Sequence, residues 1–122
     1  GKVTARDGDP IDVEISVEAA PSVLYDAVIV PDGAAAVEAL ARNAQVLDFL
    51  REQYRHCKPI LAFGTGSDLL SKAMVPQKLP DGSADPGLIL GDPANADAAL
   101  DAFKKALGTH RVFARETDPP SV

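Results

Sequence analysis

The stretch from Lys58 to Leu70, KPILAFGTGSDLL, constrains this chain more than any other. Ile60 to Phe63 is a short, wholly apolar run, the pattern of a parallel strand covered on both faces. Gly64 and Gly66 follow at once, and glycine accepts backbone angles that residues with a Cβ resist. Ser67 or Asp68 is placed to cap the helix that Leu69 and Leu70 begin. A strand, a tight glycine turn and a helix in this order belong to an α/β fold. In several α/β families a nucleophile sits on such a turn, because the turn lifts one side chain above the sheet. Here the apex is Gly64, which has no side chain to offer.

The rest of the chain supplies elements of the same kind. Lys2 to Arg6 alternates loosely, Asp7-Gly8-Asp9-Pro10 is a turn signal, and Ile11 to Val17 alternates apolar with polar residues without a break. These segments predict a β-hairpin with one wet face, which must pack on something else to be stable. Ala19 to Ser22 is a connector. Tyr25 to Pro31 predicts a second buried strand, and Asp32-Gly33 turns it into a helix from Ala34 to about Arg42. Asn43 ends that helix and caps the next, which runs from about Ala44 to His56. Its inward stripe is Val46, Leu47, Leu50 and Tyr54, while Asp48, Arg51, Glu52 and Arg55 face water.

After the glycine turn, Leu69 to Val75 predicts a short helix. Pro76 to Pro86 holds three prolines and reads as a surface loop. Gly87 to Leu90 predicts a third short buried strand. Asp92-Pro93 opens the last helix, whose core stripe is Ala96, Ala99, Leu100, Phe103, Ala106 and Leu107. Lys104 and Lys105 lie at its negative end, and Gly108 stops it. Arg111-Val112-Phe113 reads as a final extended piece. The domain is expected over residues 1–117, with a flexible tail over 118–122. Strand and helix alternate, which implies a parallel sheet with helices on its faces. Three short strands and a detached hairpin are nevertheless few for such a domain.

At 122 residues the chain fits one domain. Its net charge of −6 argues against nonspecific binding to nucleic acid or to an anionic membrane. The single cysteine excludes an internal disulfide and suits a reducing, cytoplasmic setting.

Few residues carry chemistry. Cys57 is next to His56, but helix neighbours point about 100° apart and do not pair by adjacency. Both also precede the strand, whereas the crevice of an open α/β sheet lies at the carboxyl ends of its strands. A structural thiol is therefore the favoured reading of Cys57, and a surface or capping role that of His110. The turn Gly64-Thr65-Gly66-Ser67 is neither a P-loop nor a complete dinucleotide fingerprint. Its amides could hold an anion, but a turn that needs glycine is the simpler reading. Thr65 has no histidine inferable near it. Asp32-Gly33 should face the Gly64 turn across the crevice, where its amides could serve as oxyanion donors. No pair of residues has metal-ligand spacing.

Tyr25 to Gly33, then a helical stretch ending in Cys57-Lys58-Pro59-Ile60, then the Gly64 turn, resemble the class I glutamine amidotransferase-like superfamily, a flavodoxin-like group. Active members of that group carry a cysteine at the elbow, where this chain has Gly64. A closer resemblance is to the C-terminal domain of large-subunit haem catalases. It is carried by Gly1 to Gly8, by Ala20-Pro21-Ser22 leading into Tyr25 to Pro31, by Lys58-Pro59-Ile60 with an elbow that is not cysteine, and by His110-Arg111-Val112-Phe113. This resemblance implies a flavodoxin-like three-layer sandwich with a parallel sheet plus a β-hairpin, incomplete at the N-terminus. The strand missing from it would lie beside Ala27 to Pro31, leaving an edge open to pairing or exchange between chains.

The expected function is that of a non-catalytic accessory domain supporting assembly and stability, with chaperone-like behaviour as a further expectation. Asp32, Gly33, Gly64, Thr65 and Gly66 would form a vestigial elbow and crevice. The resemblance places haem in an upstream part of a parent that disproportionates hydrogen peroxide. The implied partners are that upstream domain and sister subunits in a homo-oligomer. The alternatives are a divergent hydrolase of the amidotransferase-like group, using Thr65, Ser67 or a distant residue, and a stand-alone chaperone.

Overall fold

The computed structural model describes residues 2–4, 7–109, Val112 and Arg115. His110, the extended piece expected around Arg111 and Phe113, and the tail 118–122 lie outside the described residues, as does the side chain of Lys2.

Among the described residues the strands form two sheets. β1 (Lys2–Thr4) and β2 (Pro10–Asp12) pair antiparallel, with Val3 opposite Ile11. β3 (Val28–Val30), β4 (Ile60–Phe63) and β5 (Leu88–Gly91) form a parallel sheet in that order. Its register sets Ile29 beside Leu61 and Leu61 beside Ile89. Between β3 and β4 run α1 (Ala34–Ala41) and α2 (Ala44–Arg55), after β4 comes α3 (Gly66–Lys72), and α4 (Ala96–Gly108) follows β5. The fold is α/β and flavodoxin-like in its layers, as the sequence predicts.

The middle strand divides the core. Ile60 and Ala62 point to one face, where they join Val30, Val37, Leu50, Tyr54, Leu69 and Leu70 from β3 and the first three helices. Leu61 points to the other face and meets Ala99 and Phe103 of α4. Ile60, Leu61 and Ala62 are at most 1% exposed, which is what a strand covered on both faces requires.

The outer strands behave differently. The expected buried strand Tyr25 to Pro31 is only Val28–Val30, and Ile29 is 49% exposed. The expected strand Gly87 to Leu90 is shifted by one residue, and Leu90 is 51% exposed. Apolar runs read as buried strands in both places, yet each is an edge, and an edge keeps one flank in water. The alternating run Ile11 to Val17 is likewise a strand only to Asp12. Beyond Asp12 it has no described partner, and Val17–Ala19 and Ser22–Leu24 are single 3-10 turns. Val3, Ile11, Val13 and Ile15 all stay exposed, so among the described residues the hairpin is not seated on the core.

Helix ends follow local chemistry. The Asn43 side chain accepts from the amides of Gln45 and Val46, as expected of a cap. The helix α3 starts at Gly66, three residues before the expected Leu69, with Thr65 at the cap position. Neither Ser67 nor Asp68 is the cap, and the Ser67 hydroxyl instead donates to the carbonyl of Gly64 at 3.1 Å. Asp92 caps the 3-10 turn Pro93–Asn95 that leads into α4, accepting from Ala94 N at 2.9 Å. Gly108 does not stop α4 but belongs to it; Thr109 ends it, its hydroxyl donating to the Ala106 carbonyl at 2.7 Å.

Both α2 and α3 close on a non-glycine residue in the left-handed region, Cys57 (φ 60°) and Met74 (φ 59°). Paired bonds hold each end: Cys57 N to Tyr54 O and Lys58 N to Gln53 O for α2, Met74 N to Ser71 O and Val75 N to Leu70 O for α3. These are Schellman closures, in which glycine is the usual occupant of the left-handed position. Arg51, expected to face water, lies partly against the protein, and its Nε donates to the Ala73 carbonyl at 3.2 Å.

Candidate functional site

The crevice is built by two turns at the carboxyl ends of neighbouring strands. β3 delivers Pro31, Asp32 and Gly33, and β4 delivers Gly64, Thr65 and Gly66. The structure brings together the five residues singled out from the sequence. One Asp32 carboxylate oxygen accepts from the Thr65 amide at 2.8 Å and from the Thr65 hydroxyl at 2.7 Å. The same hydroxyl oxygen accepts from the Gly33 amide at 2.9 Å. Gly66 is buried against the carbonyls of Val30 and Pro31, at a closeness that a Cβ would not tolerate.

Gly64 itself has φ 49°, a left-handed conformation. A Cβ there would fall 2.5 Å from Oδ1 of Asp32. The carboxylate of Asp32 therefore occupies the space that an elbow side chain needs. The elbow lacks a nucleophile, and its neighbour has filled the position.

This arrangement is poor acid–base and nucleophilic machinery. The Asp32 carboxyl is held below the usual aspartate value, first by the Thr65 hydroxyl, then by the Thr65 amide, with the Gly33 amide adding a smaller effect. A carboxylate so stabilised is a weak base, because general-base efficiency needs a pKa near the working pH. The Thr65 hydroxyl donates its proton to Asp32 and accepts from the Gly33 amide, which fixes it between the two turns, and the carboxylate beside it is too weak a base to take that proton. The Gly33 amide, an expected oxyanion donor, is itself spent on Thr65. Beside the crevice an open groove of about 500 Å³ runs between α1 and α3, floored by Val37, Ala41 and Leu47. The Glu38–Arg42 pair on its rim is exposed and meets at 2.7 Å.

The other candidates lie elsewhere. Cys57 is at the opposite end of β4 and only 3% exposed, in keeping with a structural thiol. His56 is exposed and reaches Glu52 at 3.3 Å. Among the described residues no group of three or more His, Cys, Asp or Glu could hold a metal ion, and no helix is long and apolar enough to cross a membrane.

The sequence matches, over residues 3–117, the family described as the C-terminal domain found in long catalases. The chain belongs to that family. Catalase HPII of Pseudomonas aeruginosa is 35% identical over 114 residues, covering 93% of this chain and 15% of that protein. Catalase HPII of Pseudomonas putida is 36% identical over 123 residues, again covering 15% of that protein. Catalase C of Rhizobium meliloti is 37% identical over 122 residues, covering 100% of this chain and 16% of that protein. The catalase C-terminal domain described here thus spans about 15% of the length of these curated relatives.

Sequence reasoning missed a second polar constellation, at the far end of the sheet. Lys58 is 2% exposed, and its ammonium donates to the carbonyls of Ser22 (3.0 Å) and Val23 (3.3 Å). Gln53 is fully buried and donates to the same Ser22 carbonyl at 2.8 Å. Arg115 and Asp85 form a buried ion pair, with Nε to Oδ2 at 2.6 Å. The signal for Gln53 was its place on the Leu50–Tyr54 face of α2; nothing local announced the pairing of Asp85 with Arg115.

Proposed function

We propose that this chain acts as a non-catalytic accessory domain of a long catalase, supporting assembly and stability of a protein that disproportionates hydrogen peroxide elsewhere along its length. The observation that carries this reading is the closed elbow: the Asp32 carboxylate stands where a nucleophile at residue 64 would have to be. No step of peroxide chemistry is routed through the described residues in this reading. Haem and the peroxide site belong, in this reading, to the part of the long protein that this chain does not cover, in a cytoplasmic setting.

The free edge of β3 supports a partner role. Within the described structure β3 pairs on one side only, with β4. Next to it lies an apolar cavity of about 120 Å³ lined by Val28, Ile29, Phe49 and neighbouring side chains. Val23 and Leu24, just before β3, are 69% and 72% exposed. An unpaired apolar edge of this kind seeks another strand. The proposed occupant is polypeptide of the long catalase itself, either the upstream segment or a sister subunit.

The test is a long catalase with and without this domain. Removal is expected to shorten the half-life at elevated temperature and to lower the yield of assembled enzyme, with turnover per haem unchanged. Loss of turnover per haem in a fully assembled truncated enzyme would refute the accessory role. So would hydrolytic turnover by the isolated 122-residue chain. Size-exclusion chromatography of the isolated chain examines the edge, where a stable, well-folded monomer at low concentration counts against pairing between copies.

A further inference from the structure

The chain has one cysteine and one methionine, Cys57 and Met74. Both close a helix from the same backbone state, Cys57 after α2 at φ 60° and Met74 after α3 at φ 59°. Their surroundings are opposite. Cys57 is 3% exposed, and its thiol donates to the carbonyl of Arg55 at 3.9 Å. Met74 is 68% exposed.

Neither backbone nor packing among the described residues calls for methionine at position 74. The left-handed position of a Schellman closure favours glycine, and a Cβ is strained there. The closure itself is made by main chain, Met74 N to Ser71 O and Val75 N to Leu70 O, each at 3.0 Å. The adjoining core takes in Leu69, Leu70, Ala73 and Val75 but not Met74. What methionine adds here, and glycine would not, is a thioether standing in water. Thiol and thioether are both oxidised by peroxide, and an open thiol reacts through its thiolate as the better nucleophile. The fold shuts the better nucleophile away and leaves the weaker one open.

We propose that Met74 is the oxidation site of this domain, taking peroxide in place of Cys57, and that the fold survives the modification. A lone pair on the Met74 sulfur attacks one oxygen of hydrogen peroxide, and the S–O bond forms as the O–O bond breaks. The departing hydroxide takes the proton of the transferred oxygen and leaves as water. Sulfur is oxidised by two electrons and peroxide reduced by two, giving the sulfoxide. A sulfoxide is polar and disrupts a core, but this side chain lies outside the core and the bonds that close α3 do not involve it. That peroxide reaches the domain in its working setting rests on the accessory role proposed above; the chemistry of residue 74 does not.

The experiment exposes the 122-residue chain to hydrogen peroxide at neutral pH, blocks the remaining thiol with iodoacetamide, and reads oxygen gain peptide by peptide by mass spectrometry. Far-ultraviolet circular dichroism monitors the fold. In the folded chain Met74 should gain one oxygen at least about tenfold faster than Cys57 is oxidised. In urea above the unfolding midpoint the order should reverse, with Cys57 oxidised first. Met74→Leu should abolish the early oxygen gain and leave Cys57 as slow as before. The chain carrying the sulfoxide should keep the dichroism spectrum and urea midpoint of the reduced one. The proposal is overturned if the folded chain oxidises Cys57 first, if Met74→Leu gains oxygen at the wild-type rate, or if the sulfoxide form loses its folded spectrum. An order unchanged in urea also overturns it, since the fold would then not be what sets the order. None of these readouts involves haem or turnover by a long catalase, so this site and the accessory role fail separately.

Discussion

The two ends of the parallel sheet are held in opposite ways. At the carboxyl end, where α/β proteins gather their chemistry, Asp32, Gly33 and Thr65 are tied by short hydrogen bonds in contact with water. At the amino end, Arg115, Asp85 and Lys58 are buried, and charge is matched to charge and to carbonyl oxygen inside the protein. Water can replace a lost partner at the first end but cannot reach it at the second. The end that resembles an active site is therefore the more tolerant one energetically, and the end with no catalytic look is where substitution costs most.

The largest expected effect is at the buried end. Asp85→Ala removes the partner of Arg115 and also the acceptor of the Gly87 amide. It should lower the unfolding free energy by about 3 kcal/mol, since one member of a buried pair is left uncompensated. Urea denaturation measures this, and a loss under 1 kcal/mol, the range of about 0–1 typical of exposed pairs, would erase the contrast between the ends.

Next comes the elbow. Gly64→Cys forces a side chain into a left-handed position and against the Asp32 carboxylate. A cost of about 2 kcal/mol is expected, with the new thiol slow to react. Adding Asp32→Gly should restore part of the stability and make that thiol reactive. A Gly64→Cys protein as stable as wild type would show that Asp32 does not fill the elbow.

The Asp32 contribution itself is smaller and depends on pH. Its folded pKa is depressed, so the stabilisation is present above the ordinary aspartate value of 3.8 and is lost as pH falls through the folded value. The wild-type advantage over Asp32→Asn should persist from neutral pH down to about 4 and shrink below that. An advantage that grows on acidification would contradict the geometry. The smallest effect concerns Met74, which is 68% exposed and left-handed at the end of α3. Met74→Gly should stabilise by less than about 1 kcal/mol, because glycine adopts that conformation without strain while little packing is lost. Thermal melting reads the sign.

The features legible in the sequence were those written in local pattern. The run Ile60 to Phe63 announced the central strand, Asn43 announced its cap, and the facing turns at Asp32 and Gly64 followed from the carboxyl-end rule for parallel sheets. Composition of a short apolar run does not distinguish a central strand from an edge, so it predicts cover for Ile29 and Leu90 that the fold does not provide. Alternation from Ile11 to Val17 predicts a strand because pattern reports what a segment can do, whereas a strand exists only as far as its partner extends. At the crevice the residues were found, but the chemistry of their meeting was not. That Asp32 turns inward onto Thr65 is a matter of two loops approaching in space. The same holds for Arg115, which lies 30 residues from Asp85 and 57 from Lys58.

The hairpin has a practical consequence. β1 and β2 meet through three residue pairs, their aliphatic side chains remain in water, and the turn between them contains Gly8 with open space around it. Since the described core does not lean on it, that turn is a natural place to graft an epitope or a fluorophore, which should leave the melting temperature of the sheet where it was.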